Sequence, residues 1–216
     1  MTSDELAEVD YRPLGGVPKR SFDLAFGVTA LVFLGVLMAV IALMILLADG
    51  RPVLFRHRRI GRGGRRFDCL KFRTMVVDGE RVLTDALSQD SKLSDEWLTT
   101  RKLKRDPRIT SVGNFLRRSS LDELPQLFNI IKGDMSVVGP RPIVREEVSN
   151  YGECINYYYR TRPGLTGAWQ VSGRNDLSYE TRVRLDREYV QSWSLTKDVV
   201  IVGKTLPAVL LAKGVY

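Results

Sequence analysis

The feature that most constrains this chain is an apolar run from Leu24 to Ala48, in which no side chain is charged and Thr29 carries the only hydroxyl. As an α-helix, these residues would extend about 38 Å, which exceeds the roughly 30 Å hydrocarbon core of a bilayer. The run starts too late and is too long for a cleavable signal peptide. The sequence therefore predicts a tail (1–18), a membrane-embedded helix (19–50) and one globular part (51–216).

Basic residues flank this run on both sides. Lys19 and Arg20 precede it, and residues 51–73 contain nine Lys and Arg against the single Asp68. On these residues alone, the favoured arrangement is a spanning helix with the heavier basic cluster in the cytoplasm. A helix that enters and leaves on one face would instead bring both clusters to anionic lipid, and Gly35 would allow a break. Both arrangements remain open at this point.

Composition excludes several kinds of site and restricts the class of partner. The 216 residues are enough for one domain with a core, and they include two cysteines and a single histidine, His57. This excludes a disulfide framework, a Cys/His zinc cluster and chemistry built on several histidines. The formal charge of +8 requires an anionic partner, which means nucleic acid, anionic lipid or a phosphorylated substrate. No signature of a nucleic-acid-binding fold is present, so we expect no nucleic-acid partner.

Local patterns predict an α+β fold that is mainly helical. Two short strands, 53–56 and 66–73, flank a glycine-rich loop at 61–64 and indicate a β-hairpin. Helical spacing marks five further segments, which are 77–105, 110–118, 122–132, 178–193 and 196–212. The C-terminal stretch 199–216 fits equally an interfacial helix and a helix packed into the core.

Two adjacent carboxylates, Asp122 and Glu123, follow two arginines at the start of a predicted helix. The favoured interpretation from spacing alone is a capping box formed by Ser120 and Glu123, although Pro125 weakens it. The chemical alternative is phosphoryl transfer, in which one carboxylate attacks phosphorus, the other helps to hold Mg²⁺, and arginines neutralise phosphate charge.

Further arginines stand in loops stiffened by proline or glycine. Arg141 lies between two prolines, Arg162 precedes Pro-Gly, and Arg174 follows Ser-Gly. Singly, each fits a surface ion pair, but together they indicate an anion site. His57 is expected to be ion-paired or solvent-facing, and both cysteines are expected to be unreactive thiols.

These motifs, in their order along the chain, resemble those of the bacterial monotopic phosphoglycosyl transferases. The likeness runs from about residue 17 to the end of the chain. It rests on Lys19-Arg-Ser-Phe-Asp-Leu24, Leu70-Lys-Phe-Arg-Thr-Met75, Ser120-Leu-Asp-Glu-Leu-Pro-Gln126, Asn129-Ile-Ile-Lys-Gly-Asp-Met-Ser136, Gly139-Pro-Arg-Pro142, Arg162-Pro-Gly-Leu-Thr-Gly167 and Gly173-Arg-Asn175.

The resemblance implies an enzyme that moves a sugar-1-phosphate from a UDP-sugar to undecaprenyl phosphate, with release of UMP. It implies that Asp122 is the nucleophile and that Glu123 joins it at Mg²⁺. It also implies phosphate and nucleotide binding by Arg117, Pro140, Arg141 and Arg174. Residues 51–216 would form a cytoplasmic catalytic domain on the bacterial inner membrane, with interfacial amphipathic helices, and both ends of a re-entrant helix would be cytoplasmic.

The resemblance extends to the exopolysaccharide-initiating galactose-1-phosphate transferases, and so favours galactose. Glucose and an N-acetylhexosamine remain alternatives, and a homo-oligomer is possible. One departure from the family pattern is that Gly35-Val36 replaces the Ser-Pro pair with which many members break the helix. A rival of another class is a non-catalytic, membrane-anchored protein whose basic segment, residues 51–73, binds anionic lipid or nucleic acid.

Overall fold

The computed structural model describes residues 13–100, 103–173 and 177–210, and it confirms a mainly helical α+β fold. The first half of the chain forms α1 (Gly16–Asp49), β1 (Leu54–Ile60), β2 (Arg66–Phe72), α2 (Gly79–Gln89), α3 (Ser91–Thr100) and α4 (Ser111–Arg118). The second half forms α5 (Gln126–Lys132), β3 (Ser136–Val138), α6 (Ile155–Tyr159), β4 (Gly164–Thr166), α7 (Tyr179–Gln191) and α8 (Leu195–Leu210). Within the described ranges, 3-10 segments at 62–64, 121–123, 145–154 and 169–171 connect them.

The apolar run forms one continuous helix, α1, which is not interrupted at Gly35. Along one face, side chains buried in the rest of the protein recur at helical spacing, and these are Lys19, Asp23, Gly27, Met38, Ile41 and Ile45. The opposite face is apolar and exposed, as at Phe33, Val36 and Leu47. One side of α1 thus packs on the protein, and the helix is long and apolar enough for its other side to contact lipid hydrocarbon.

The first turns of α1 are held by a buried ion pair. The Lys19 ammonium donates to Asp198 Oδ2 of α8 at 2.7 Å and to the carbonyl of Val138 at 3.0 Å, and both charged side chains are at most 3% exposed. Tyr189 Oη and Trp193 Nε1 also donate to the Asp198 carboxylate. The buried charges are therefore fully paired, as burial requires.

The far end of α1 is held by the same body of the protein. Thr110 Oγ1 donates to the Asp49 carboxylate at 2.9 Å, and the Arg73 guanidinium donates to the carbonyls of Asp49 and Gly50. Both ends of the helix thus contact residues 51–210, although the helix is about 51 Å long. Thr110 also caps α4 through the backbone N–H of Gly113, so this contact leads directly to α4.

The predicted β-hairpin is present, with a longer first strand than the sequence indicated. Strands β1 and β2 are antiparallel, and their register places Phe55 opposite Lys71, His57 opposite Cys69 and Arg59 opposite Phe67. Directly opposed residues share a face of a hairpin. Phe55, His57, Arg59 and Lys71 therefore project on the same side.

Strands β3 and β4 form a short parallel pair that positions the loop after β3. Gly164 donates its backbone N–H to the carbonyl of Pro140 at 2.8 Å. A Cβ on Gly164 would collide with the backbone of Gly139, so only glycine permits this close approach. The pairing fixes the backbone on which Arg141 is carried.

One predicted helix is interrupted in the structure, and another packs one face into the core. The segment 77–105 divides into α2 and α3 at Asp90, whose carboxylate accepts backbone N–H bonds from Lys92 and Leu93 at the start of α3. In α8, Asp198 and Ile201 are buried while Val199 and Val200 are exposed, so one face of this helix packs into the core. Residues 211–216 lie outside the described residues.

Candidate active site

Asp122 and Glu123 lie in a single 3-10 turn, residues 121–123, between α4 and α5. The capping-box prediction is wrong, because Ser120 has a φ of 57° and its side chain makes no capping hydrogen bond. The helix predicted over 122–132 begins only at Gln126, directly after Pro125. Proline has no N–H to donate and a fixed φ, which makes it a poor residue inside a helix and a good one at its start.

One ammonium group connects the two carboxylates. Lys71 Nζ lies 2.7 Å from Glu123 Oε1 and 3.8 Å from Asp122 Oδ2. The Asp122 side chain is 13% exposed and that of Glu123 is 33% exposed. Asp122 is thus the more enclosed of the two, yet it lacks the short ion pair that its neighbour has.

Their environments move the two pKa values apart. Burial raises the pKa of Asp122 to about 6, and the nearby Glu123 carboxylate adds to the rise, while Lys71 and Arg117 oppose it. For Glu123, burial acts in the same direction, but the charge and hydrogen bond of Lys71 outweigh it and lower the pKa. A pair of carboxylates with opposite shifts is typical of a catalytic site, where the two groups have different roles.

Arg117 approaches the pair from the last turn of α4. Its Nε donates to Thr74 Oγ1 at 2.8 Å, and its charge stabilises the ionised form of Asp122. Thr74 follows β2, so the hydrogen bond ties α4 to the hairpin. This fixes one guanidinium beside the candidate nucleophile.

Arg141 approaches from the loop after β3. It lines a pocket together with Arg59, Lys71, Glu123 and Gln126. Its guanidinium lies 6.0 Å from the ring centre of the buried Trp169, within range of a cation–π contact. Pro140 is buried, and its backbone carbonyl holds the loop in place through Gly164. Pro140 therefore contributes to the site indirectly, because it fixes the backbone that carries Arg141.

The two remaining arginines of the prediction are Arg162 and Arg174. Arg174 lies outside the described residues. Arg162 instead donates from Nε to the carbonyl of Gly133 at 2.8 Å, at the C-terminus of α5, where Arg20 binds the carbonyls of Ile130 and Ile131. Both arginines therefore satisfy carbonyls at a helix end.

Sequence reasoning did not single out Lys71 or Arg59 as site residues. Both belong to the basic segment 51–73, where any cation fits a lipid-facing role. The usable signal was the alternation of β1 and β2, since odd-numbered residues on both strands share a face once the register is known. The sequence does not specify which face meets Asp122.

His57 and the cysteines have defined environments. His57 was predicted to be solvent-facing or ion-paired. In the structure its Nδ1 lies 3.1 Å from Arg59 Nη2, which is a hydrogen bond within the basic segment. Both cysteines are free thiols. Burial raises the pKa of Cys69 to about 11, so this thiol is a poor nucleophile near neutral pH.

Comparison with known proteins yields a consistent set of similarities. Residues 15–212 match the family model described as bacterial sugar transferase. The chain is 53% identical over 205 residues to the exopolysaccharide production protein ExoY of Sinorhizobium fredii, covering 95% of this chain and 91% of that protein. It is 48% identical over 198 residues to the undecaprenyl-phosphate galactose phosphotransferase of Salmonella typhimurium, covering 92% of this chain.

Similarity extends to a protein named for another sugar. The UDP-glucose:undecaprenyl-phosphate glucose-1-phosphate transferase of Escherichia coli is 36% identical over 216 residues, covering 94% of this chain. The chain spans 41% of the Salmonella protein and 43% of the Escherichia protein, whereas it spans nearly all of ExoY.

Proposed function

The chain belongs to the bacterial sugar transferase family, and from this premise we propose that it transfers a hexose-1-phosphate from a UDP-sugar to undecaprenyl phosphate. UMP is released, and the product starts an exopolysaccharide. The observation that carries the proposal is the enclosed Asp122, bordered by Glu123, Lys71 and Arg117.

Asp122 acts as the nucleophile in a two-step reaction. One carboxylate oxygen attacks the sugar-bearing phosphorus of the UDP-sugar, the bond from that phosphorus to the bridging oxygen breaks, and UMP leaves with the electron pair. An oxygen of undecaprenyl phosphate then attacks the same phosphorus and releases the Asp122 carboxylate. The covalent intermediate keeps the two anionic substrates from having to meet directly.

The surrounding cations have separate roles in this scheme. Lys71 and Arg117 face Asp122 and offset charge on the phosphorus being attacked. Arg141 and Arg59 line the adjoining pocket, where a planar guanidinium matches phosphate oxygens two at a time. The site is thus built for a diphosphate.

Asp122 and Glu123 are the residues that would hold Mg²⁺. No cluster of three or more His, Cys, Asp or Glu suited to a metal occurs among the described residues, but Mg²⁺ is commonly bound by one or two carboxylates together with substrate phosphates. Burial disfavours the ionised form of Asp122, and a cation bound beside it would stabilise that form. When bound, Mg²⁺ would supply charge stabilisation of the departing phosphate.

Galactose is the proposed sugar, because the Salmonella protein named for galactose is 48% identical to this chain, whereas the Escherichia protein named for glucose is 36% identical. The test is UMP release by the purified chain with UDP-galactose, UDP-glucose and UDP-N-acetylhexosamines, with and without undecaprenyl phosphate. We expect turnover only with the acceptor present, and fastest turnover with UDP-galactose. A non-catalytic lipid-binding module would release no UMP from any donor.

The pH dependence of the reaction follows from Asp122. Because its pKa is raised to about 6, the nucleophilic carboxylate forms as pH rises through that value. We expect kcat/KM for the UDP-sugar to rise between about pH 5 and 7 and then level off. The same shift means that the folded protein binds this proton more tightly than the unfolded chain does, so its contribution to stability falls as pH rises from about 4 to 6. A flat rate profile down to pH 5 would contradict the assignment.

The contacts of α1 support a re-entrant arrangement at the cytoplasmic face of the inner membrane. Lys19 at one end and Asp49 at the other both bond to the domain of residues 51–210. A helix that crossed the bilayer would place only one of these ends on the side of residues 51–210. Because α1 has no break at Gly35, the support for this arrangement is the attachment of both helix ends to residues 51–210 and not a kink in the helix.

Cysteine labelling tests this topology. In a Cys154→Ser background, Ser21→Cys and Ser88→Cys place one exposed thiol before the apolar run and one after it. We expect a membrane-impermeant maleimide to label both in inside-out vesicles and neither in right-side-out vesicles. Labelling of Ser21→Cys alone from the outer side would establish a spanning helix.

A further inference from the structure

Two aromatic rings stand beside the pocket on the face of the hairpin that carries Lys71. Phe55 is 50% exposed, and its ring centre lies 5.7 Å from that of His57 with an interplanar angle of 60°. Phe55 is directly opposite Lys71 in the ladder, and His57 is directly opposite Cys69, which lines the pocket. The ring pair therefore continues the wall of the pocket toward solvent.

The imidazole of His57 has a defined protonation state. Arg59 Nη2 donates to Nδ1 at 3.1 Å, so in the neutral ring the proton is on Nε2. The groups that face the ring also favour the neutral form, since burial together with the charges of Arg59, Lys71 and Arg141 lowers its pKa, and only Glu147 opposes this. His57 thus presents an uncharged ring with one N–H donor.

The spacing along β1 fits an extended ligand. Phe55 and Arg59 are four residues apart on a strand, about 13 Å, with His57 between them on the same face. Arg59 lies at one end of this row, bonded to the carbonyl of Pro142 beside Arg141, and Phe55 lies at the other end, directly opposite Lys71. The row therefore combines a flat aromatic surface with cations within one strand length, which matches the flat base and the phosphates of a nucleotide.

We propose that Phe55 and His57 form the subsite for the uracil base of the UDP-sugar, in which Phe55 stacks on the base and His57 Nε2–H donates to a carbonyl of the base. This rests on the proposed function, since it assumes a UDP-linked donor. A lipid chain would contact Phe55 but offers no acceptor to the half-buried His57 N–H. A pyrimidine supplies both contacts.

The test is UMP binding to the full chain in lipid nanodiscs, measured by calorimetry. Phe55→Leu keeps an apolar side chain but removes the ring, and we expect UMP to bind about 5- to 30-fold more weakly, since stacking of a base on an aromatic ring contributes about 1–2 kcal/mol. Ribose 5-phosphate, which has no base, should bind equally to both proteins. Phe55→Trp should restore UMP affinity.

Phe33→Leu is the matched control, because Phe33 is an exposed aromatic side chain on the lipid face of α1. It should leave UMP affinity unchanged. If Phe55→Leu also binds UMP normally, and instead weakens association with vesicles of anionic lipid, Phe55 is a membrane contact and the subsite is refuted. If the wild type turns over no UDP-sugar, the proposed function fails. Wild-type turnover with an unchanged KM for the UDP-sugar in Phe55→Leu refutes only the subsite.

Discussion

Asp122→Asn should reduce UMP release by at least about a thousandfold while the protein stays folded. The amide has nearly the same shape as the carboxylate but cannot act as the nucleophile, and loss of a covalent catalyst removes the whole two-step route. Stability should not suffer. The raised pKa of Asp122 means that its charge is unfavourable in the folded state at neutral pH, and the neutral amide removes that cost.

The measurement combines turnover with intact-protein mass spectrometry after rapid mixing with the UDP-sugar alone. The wild type should gain the mass of a hexose phosphate, and Asp122→Asn should gain nothing. Asp68→Asn is the control, because Asp68 lies in the same hairpin but is 39% exposed and pairs with the exposed Arg58 at 3.3 Å. Normal turnover by Asp122→Asn would overturn the proposed mechanism.

Lys19→Met should lower the free energy of unfolding by about 3–5 kcal/mol, because it leaves the buried Asp198 carboxylate without its counter-ion. Lys19 also donates to the carbonyl of Val138. The loss therefore affects β3 and α8 as well as α1.

Unfolding by denaturant in detergent measures this effect. Replacing both partners, as in Lys19→Met with Asp198→Asn, should recover part of the loss, because no isolated charge then remains buried. Lys132→Met is the matched control, since Lys132 is 75% exposed and pairs with Asp134 at 3.1 Å, and it should cost less than about 1 kcal/mol. Equal losses for the two lysines would show that the Lys19 pair is not a principal tie.

The parts of the structure that depend on local pattern were predictable. The uncharged run from Leu24 to Ala48 specifies α1, and the glycine-rich loop at 61–64 between alternating segments specifies the hairpin. The adjacent carboxylates Asp122 and Glu123 could also be identified as candidate catalytic residues from the sequence. These features depend on residues that are close in sequence, because hydrophobic spacing and turn residues determine local secondary structure directly.

The remaining features depend on contacts between distant parts of the chain. Lys19 and Asp198 are 179 residues apart, and no local pattern pairs them. Lys71 reaches Glu123 across 52 residues, which is why it looked like one more lipid-facing cation. The error at Ser120 has a local cause. The sequence from Ser120 to Glu123 is compatible with a capping box and with the left-handed turn that Ser120 adopts, and Pro125 favours the turn.

The two-ended attachment of α1 also has a kinetic consequence. In the proposed reaction, a catalytic centre attached to the membrane through α1 meets its isoprenoid substrate by lateral diffusion in two dimensions. The quantity that governs its encounter rate is therefore the mole fraction of that substrate in the leaflet, and dilution with other phospholipids slows the enzyme even when the total amount in the tube is unchanged.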